Sequence, residues 1–116
     1  MEYKRSDRIA DLLQKEIADL LLRRVKDPRV QGITITGVKV TADLQHARVY
    51  YCVMGGAAHG EKDAEAGLNN AKGFIRQEMG KRLHIRYLPQ FAFEYDTSFE
   101  YGDKMERLFK ELHGDE

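Results

Sequence analysis

Lys72 and Arg76 stand four residues apart in the segment Leu68-Asn-Asn-Ala-Lys-Gly-Phe-Ile-Arg76, beside two small residues, Ala71 and Gly73. On a helix that spacing puts both cations on one face. If a helix begins at this point, its first N–H groups are unpaired and carry a partial positive charge. Small residues there let a sugar-phosphate chain come close to the backbone, and the two cations can neutralise its phosphates. The chemistry these residues could do is therefore phosphate recognition. Lys81, Arg82 and Arg86 carry the basic character onward. The same residues also read as a helical hairpin with a solvated basic face, in which Glu78 pairs with Arg82 at a favourable spacing.

Other chemistries find less support. The four histidines, at positions 46, 59, 84 and 113, fall in expected strand, loop and tail, with no HxxxH or CxxC spacing. A zinc site needs three or four converging ligands, so no metal and no cofactor is expected. Cys52, the only cysteine, falls within a strand pattern and reads as a small apolar filler rather than a nucleophile. It has no partner for an intramolecular disulfide, which suits a reducing cytosol. Gly55 to Gly60 is glycine-rich but lacks the GK[ST] ending that would bring a lysine and a magnesium-binding hydroxyl to phosphates, and reads as a connector. No carboxylates form a recognisable acid/base pair, and no catalytic residue is assigned.

The elements that must position the basic segment are legible from periodicity. Ser6 is the expected N-cap of a first helix whose stripe is Ile9, Leu12, Leu13, Ile17, Leu20 and Leu21. Pro28 ends it. Gly32 to Thr41 alternates as a strand but slips phase at Gly37: Ile33 and Ile35 are odd, Val38 and Val40 even. A bulge near Gly37 would restore one face. Ala42 to Gln45 makes a turn into a second strand, His46 to Met54, with Ala47, Val49, Tyr51 and Val53 on one side. Glu61 to Asn70 reads as a helix with an acidic first turn. Ala71-Lys72-Gly73 interrupts it, and a further helical stripe runs through Phe74, Ile75, Met79 and Leu83. After Pro89, the residues Phe91, Phe93 and Tyr95 alternate as a third strand. Ser98 is placed to cap a last helix carrying Met105, Leu108, Phe109 and Leu112.

Length and composition fit this single unit. The 116 residues, 42% of them apolar, suffice for one core. No stretch approaches the roughly 20 apolar residues of a membrane span, and the charged start lacks a signal-peptide core, so a soluble, unexported protein is expected. The net charge is zero, but its distribution is uneven: residues before Glu94 carry +5 and those from Glu94 onward −5. That polarity can guide a chain onto a phosphate backbone, although mixed charge also simply keeps a surface hydrated.

The order α-β-β-α-α-β is that of type II KH domains, in which RNA is gripped at the turn between the adjacent helices. That turn normally reads GxxG, and no two glycines here stand three apart. The sequence instead resembles the ribosome-binding factor A family, whose KH-like domain carries an Ala-x-Gly kink, matched here by Ala71-Lys72-Gly73 and the following Phe74-Ile-Arg76. Asp27-Pro-Arg-Val30, Ile33-Thr-Ile-Thr-Gly-Val38, Asp43-Leu44, Ala47-Arg-Val-Tyr50, Arg82-Leu83, Ile85-Arg86, Pro89, Phe93 and Asp96-Thr-Ser98 also match, in collinear order from about Arg8 to about Leu112.

The resemblance implies an α+β, KH-type II-like fold, α-β-β-α-kink-α-β-α, with a three-stranded sheet and helices on one face. Residues 1–116 would form one RNA-binding domain with an acidic C-terminal segment from about 98 to 116. It further implies a cytoplasmic, non-enzymatic factor that binds the immature 30S subunit and 16S rRNA, assists late processing, and is linked to growth in the cold. A monomer is expected. The implied RNA-facing residues are Ala71, Lys72, Gly73 and Arg76 at the kink, extended by Lys81, Arg82 and Arg86 and joined by Lys4, Arg5 and Arg8. Two departures stand out: Gln90 where the family pattern has an acidic residue, and an acidic end, Gly114-Asp-Glu116, in place of a basic extension. On the residues alone, a protein-interaction adaptor docking through its sheet face or acidic last helix stays open as an alternative, and a small α+β enzyme is not excluded.

Overall fold

The computed structural model describes residues 3–53 and 60–98. Helix α1 spans Arg5–Arg23, a short 3-10 turn Pro28–Val30, strand β1 Ile33–Val40, strand β2 His46–Val53, helix α2 Glu61–Leu83 and strand β3 Gln90–Tyr95. The expected last helix beyond Ser98, and the glycine loop except for Gly60, lie outside the described residues.

Helix α1 buries Ile9, Leu13, Ile17, Leu20 and Leu21, as the spacing requires. Leu12, expected on that stripe, sits at its margin and is 40% exposed. The N-cap is Lys4 rather than Ser6, which lies buried inside the first turn. The cause is Asp7: its carboxylate accepts the Lys4 backbone N–H at 2.9 Å, the reach-back half of a capping box, and its charge favours the helix N-terminus. The helix stops at Arg23, before Pro28. Asp27 then caps the 3-10 turn, accepting the Arg29 N–H at 2.9 Å.

The phase slip in the first strand is a bulge. Ile35 pairs with Tyr51 and Gly37 with Tyr50, leaving Thr36 as the extra residue. Ile33, Ile35, Val38 and Val40 thereby all join the core. Thr36 is held in place, its hydroxyl donating to Asp96 Oδ2 at 2.6 Å. Strand β2 lies in the middle of the sheet, antiparallel to β1 and parallel to β3. The parallel pair needs a long crossover, which α2 supplies. In the β1–β2 turn Leu44 takes a positive φ of 63°, and Asp43 Oδ1 accepts both the Thr41 hydroxyl at 2.6 Å and the Gln45 N–H at 3.1 Å.

Both helices share one buried cluster with the inward residues of the sheet, including Ala47, Val49, Tyr51 and Phe91. Among the described residues the fold is α+β, with two α-helices and a three-stranded sheet. Each fully buried aliphatic side chain in this cluster contributes about 1.5–3 kcal/mol relative to exposure. Tyr51 meets Tyr95 edge-on, with ring centroids 5.5 Å apart. Cys52 is buried, as a filler would be.

Helix α2 differs from expectation. It is hydrogen-bonded as one helix of 23 residues, and Ala71-Lys72-Gly73 lies inside it rather than between two helices. Alanine is the strongest helix former, and one glycine costs only about 1 kcal/mol. Leu68 on one side of the segment and Ile75 and Met79 on the other are all fully buried in the same core, and that packing carries the helix across. Near its start α2 crosses the 3-10 turn so closely that a Cβ on Gly67 would lie 2.9 Å from Arg29 Cβ and 3.0 Å from Val30 Cγ1.

Candidate nucleic-acid interface

The ten residues expected to face RNA do not form one patch of equivalent cations. Three environments separate them.

At the middle of α2, Gly73 is exposed, and a Cβ built there meets nothing within 4 Å. The helix backbone is open to solvent at this point, with half-buried Ala71 and Lys72 just before it and exposed Phe74 just after. The Lys72 side chain forms no hydrogen bond or ion pair with a described residue. An uncommitted ammonium next to bare helix backbone can neutralise a phosphate that approaches within contact distance. Because Gly73 lies inside the helix, its N–H is not one of the unpaired N-terminal groups the sequence suggested.

Arg76, one turn on, is committed to the fold. Its guanidinium donates to the Leu88 carbonyl at 3.1 Å and to the Pro89 carbonyl, and lies 5.9 Å from the centre of the Phe91 ring. It fastens the α2–β3 connection to the helix. Replacing Arg76 with Met keeps the aliphatic length but strands two carbonyls. The expected loss is about 2 kcal/mol of stability, in the range for hydrogen bonds from charged donors, read from the denaturant midpoint. Arg82 is likewise structural. Its Nη1 lies 2.9 Å from Glu16 and 3.1 Å from Asp19, bridging α2 to α1. Those two carboxylates hold the Arg82 pKa above its ordinary value. The expected Glu78–Arg82 pair is therefore not made: Glu78 instead faces Arg24 and Lys81, each at 3.5 Å. Arg82→Ala is expected to lower the melting temperature, because it removes the bridge between the helices and strips Glu16 of this partner, while Asp19 keeps only Arg23 at 2.7 Å. A melting temperature equal to that of the unchanged chain would show the bridge to be slack.

The third environment is the start of α1. Lys4, Arg5 and Arg8 are exposed, and with Tyr3 they line a shallow depression. Arg5 also lines a groove of about 670 Å³ shared with Arg86 and Tyr87 of the α2–β3 connection and with the β1–β2 turn. Arg5 and Arg86, 81 positions apart in the chain, thus face one cavity. Lys72 and Gly73 do not line it. Lys81 is exposed but drawn toward Glu78.

Two residues outside the expected set matter here. Gly67 sets how closely α2 approaches the 3-10 turn, and its only signal in the sequence is a glycine inside an otherwise helical run. Tyr87 is 73% exposed, with the Arg86 guanidinium 5.4 Å from its ring centre. Its signal is an Arg-Tyr pair in the short connection before Pro89. Among the described residues no three His, Cys, Asp or Glu side chains converge as metal ligands would. Nor is any described helix long and apolar enough to cross a membrane.

A family model described as ribosome-binding factor A matches residues 5–109. The chain is 66% identical to the ribosome-binding factor A of Syntrophobacter fumaroxidans, with 100% of both chains covered. It is 50% identical to that of Syntrophus aciditrophicus, covering 99% of this chain and 93% of the other. The crystal structure of ribosome-binding factor A from Thermus thermophilus superposes with a TM-score of 0.68 at 22% identity, over 79% of this chain and 97% of that one. A homology model of the Thermus thermophilus factor, fitted into a cryo-EM map of a 30S complex, superposes with a TM-score of 0.60 at 24% identity, over 73% and 88% of the two chains. The matched family model covers most of the sequence and the relatives run its full length, so this chain belongs to the ribosome-binding factor A family.

Proposed function

We propose that this chain binds the immature 30S ribosomal subunit through 16S rRNA and assists its late maturation without catalysing a reaction. The observation that carries the reading is the middle of α2, where exposed helix backbone at Gly73 adjoins the uncommitted Lys72. The structural work of the neighbouring arginines supports it: Arg76 and Arg82 hold the surface rigid while Lys72 meets the RNA. The similarity to a Thermus thermophilus factor placed in a 30S complex points to the same partner. In this reading Ala71, Lys72 and Gly73 make the close approach, as the turn of a KH domain does. Lys4, Arg5, Arg8 and Arg86 supply further phosphate contacts, and the whole acts in the cytoplasm as a monomer.

Co-sedimentation with isolated small subunits, large subunits and bulk tRNA over a salt series tests this. Selective pelleting with small subunits is expected. If the five uncommitted cations each meet a phosphate, the affinity should fall by roughly two orders of magnitude between about 50 and about 200 mM salt. Equal binding to every RNA would reduce the protein to a general RNA binder. Binding that survives nuclease treatment of the partner would point to a protein adaptor instead.

A further inference from the structure

We infer that the groove between the start of α1, the β1–β2 turn and the α2–β3 connection is a second RNA contact that takes one unpaired base. The inference rests on the RNA-binding reading above but concerns a different surface from the middle of α2. Three parts of the chain converge on the groove, and between them they offer four features a nucleotide needs. Tyr87 offers a ring that is 73% exposed, one face of which is steadied by the Arg86 guanidinium at 5.4 Å. A cation against one face of an aromatic ring, with the rest of the ring open, is a stacking platform for a base. Leu44 and Ile85 supply half-buried apolar wall. Arg5 supplies a second positive charge for the sugar-phosphate chain.

The fourth feature argues for a base over a bare phosphate. Asp43 also lines the groove. Its Oδ1 accepts from Thr41 and Gln45, and the residue is exposed at the groove. The bond from Thr41 holds its pKa below the usual carboxylate range, so it is charged at neutral pH. A charged acceptor repels phosphate but receives the N–H edge of a base. The groove thus has a positive side at Arg5 and Arg86 and an acceptor side at Asp43. A phosphate-only or acidic-peptide ligand would leave Asp43 opposed, whereas an extruded nucleotide satisfies both sides. Base pairing hides the N–H edge and stacking hides the ring face, so the fitting ligand is single-stranded RNA.

The test uses the full chain and two probes, an eight-nucleotide oligocytidylate and its abasic counterpart, with affinity read by fluorescence anisotropy. The unchanged chain is expected to bind the base-bearing probe about tenfold more tightly. Tyr87→Ala should bring that probe down to the abasic level, while Tyr87→Phe, which keeps the ring, should keep the preference. Lys72→Glu should weaken both probes alike. Equal affinity of the unchanged chain for the two probes would overturn the inference, as would a preference that survives in Tyr87→Ala. Small-subunit co-sedimentation run in parallel separates the two readings. Normal pelleting with no base preference sinks only the groove, whereas loss of pelleting in the unchanged chain sinks the proposed function itself.

Discussion

Replacing Gly67 with valine is expected to destabilise the protein by roughly 3 kcal/mol, the upper end for forcing bulk into a packed site, and to lower its melting temperature by on the order of 10 °C. The reason is local and steric. A Cβ at this position meets Arg29 Cβ at 2.9 Å and Val30 Cγ1 at 3.0 Å, and neither neighbour can swing aside. The Arg29 backbone is tied to Asp27, and its guanidinium forks onto the same carboxylate, with Nε 3.1 Å from Oδ1 and Nη2 2.6 Å from Oδ2. Val30 is 3% exposed, inside the core. Alanine at the same position sets about 1 kcal/mol of helix propensity against that clash, and the clash should win. Gly73→Ala is the internal control: the same helix and the same propensity gain, but no neighbour within 4 Å. It should raise the melting temperature by several degrees. If both alanines stabilise equally, the close packing of α2 on the 3-10 turn is wrong.

That contrast shows what could be read from the chain and what could not. Periods and phase breaks are local, and they carried over. The odd-to-even slip between Ile35 and Val38 is a bulge, and the stripe from Ile9 to Leu21 is a buried face. Asp27-Pro-Arg-Val30 reads in the sequence as a helix stop at Pro28 and a family-like stretch, and the structure adds its role as the surface against which Gly67 closes. Readings that depend on a distant partner fared worse. Arg76 and Arg82 read as surface charge because their acceptors lie elsewhere: the carbonyls of Leu88 and Pro89 for one, and for the other two carboxylates on α1, over sixty residues away. The break at Ala71-Lys72-Gly73 was inferred from small residues alone, and burial of Leu68, Ile75 and Met79 on both sides overrides so weak a local preference. Ser6 is not the cap because the helix starts earlier, at Lys4, whose backbone N–H is accepted by the Asp7 carboxylate reaching back from inside the first turn. In each case composition named the residue type, and the tertiary partner decided its work.

The division of labour among the cations leads to the last prediction. A variant carrying Arg76→Glu would confuse loss of binding with loss of the α2–β3 connection, so the informative change is Lys72→Glu combined with Gly73→Asp. A Cβ at Gly73 meets nothing within 4 Å and the Lys72 ammonium makes no hydrogen bond or ion pair with a described residue, and aspartate is no worse than glycine inside a helix. The fold should therefore keep its circular dichroism and melting temperature within a few degrees. At the surface the change is severe. One phosphate partner is lost, two negative charges are set against the RNA, and the bare backbone is covered. Affinity for small subunits should fall by about a hundredfold at low salt, and the salt dependence should flatten by about one phosphate contact. Restoring the glycine alone should recover part of the affinity, because it removes one charge and reopens the approach. If the double variant binds as tightly as the unchanged chain, the middle of α2 does not face the RNA, and the contact must be sought among Lys4, Arg5, Arg8 and Arg86.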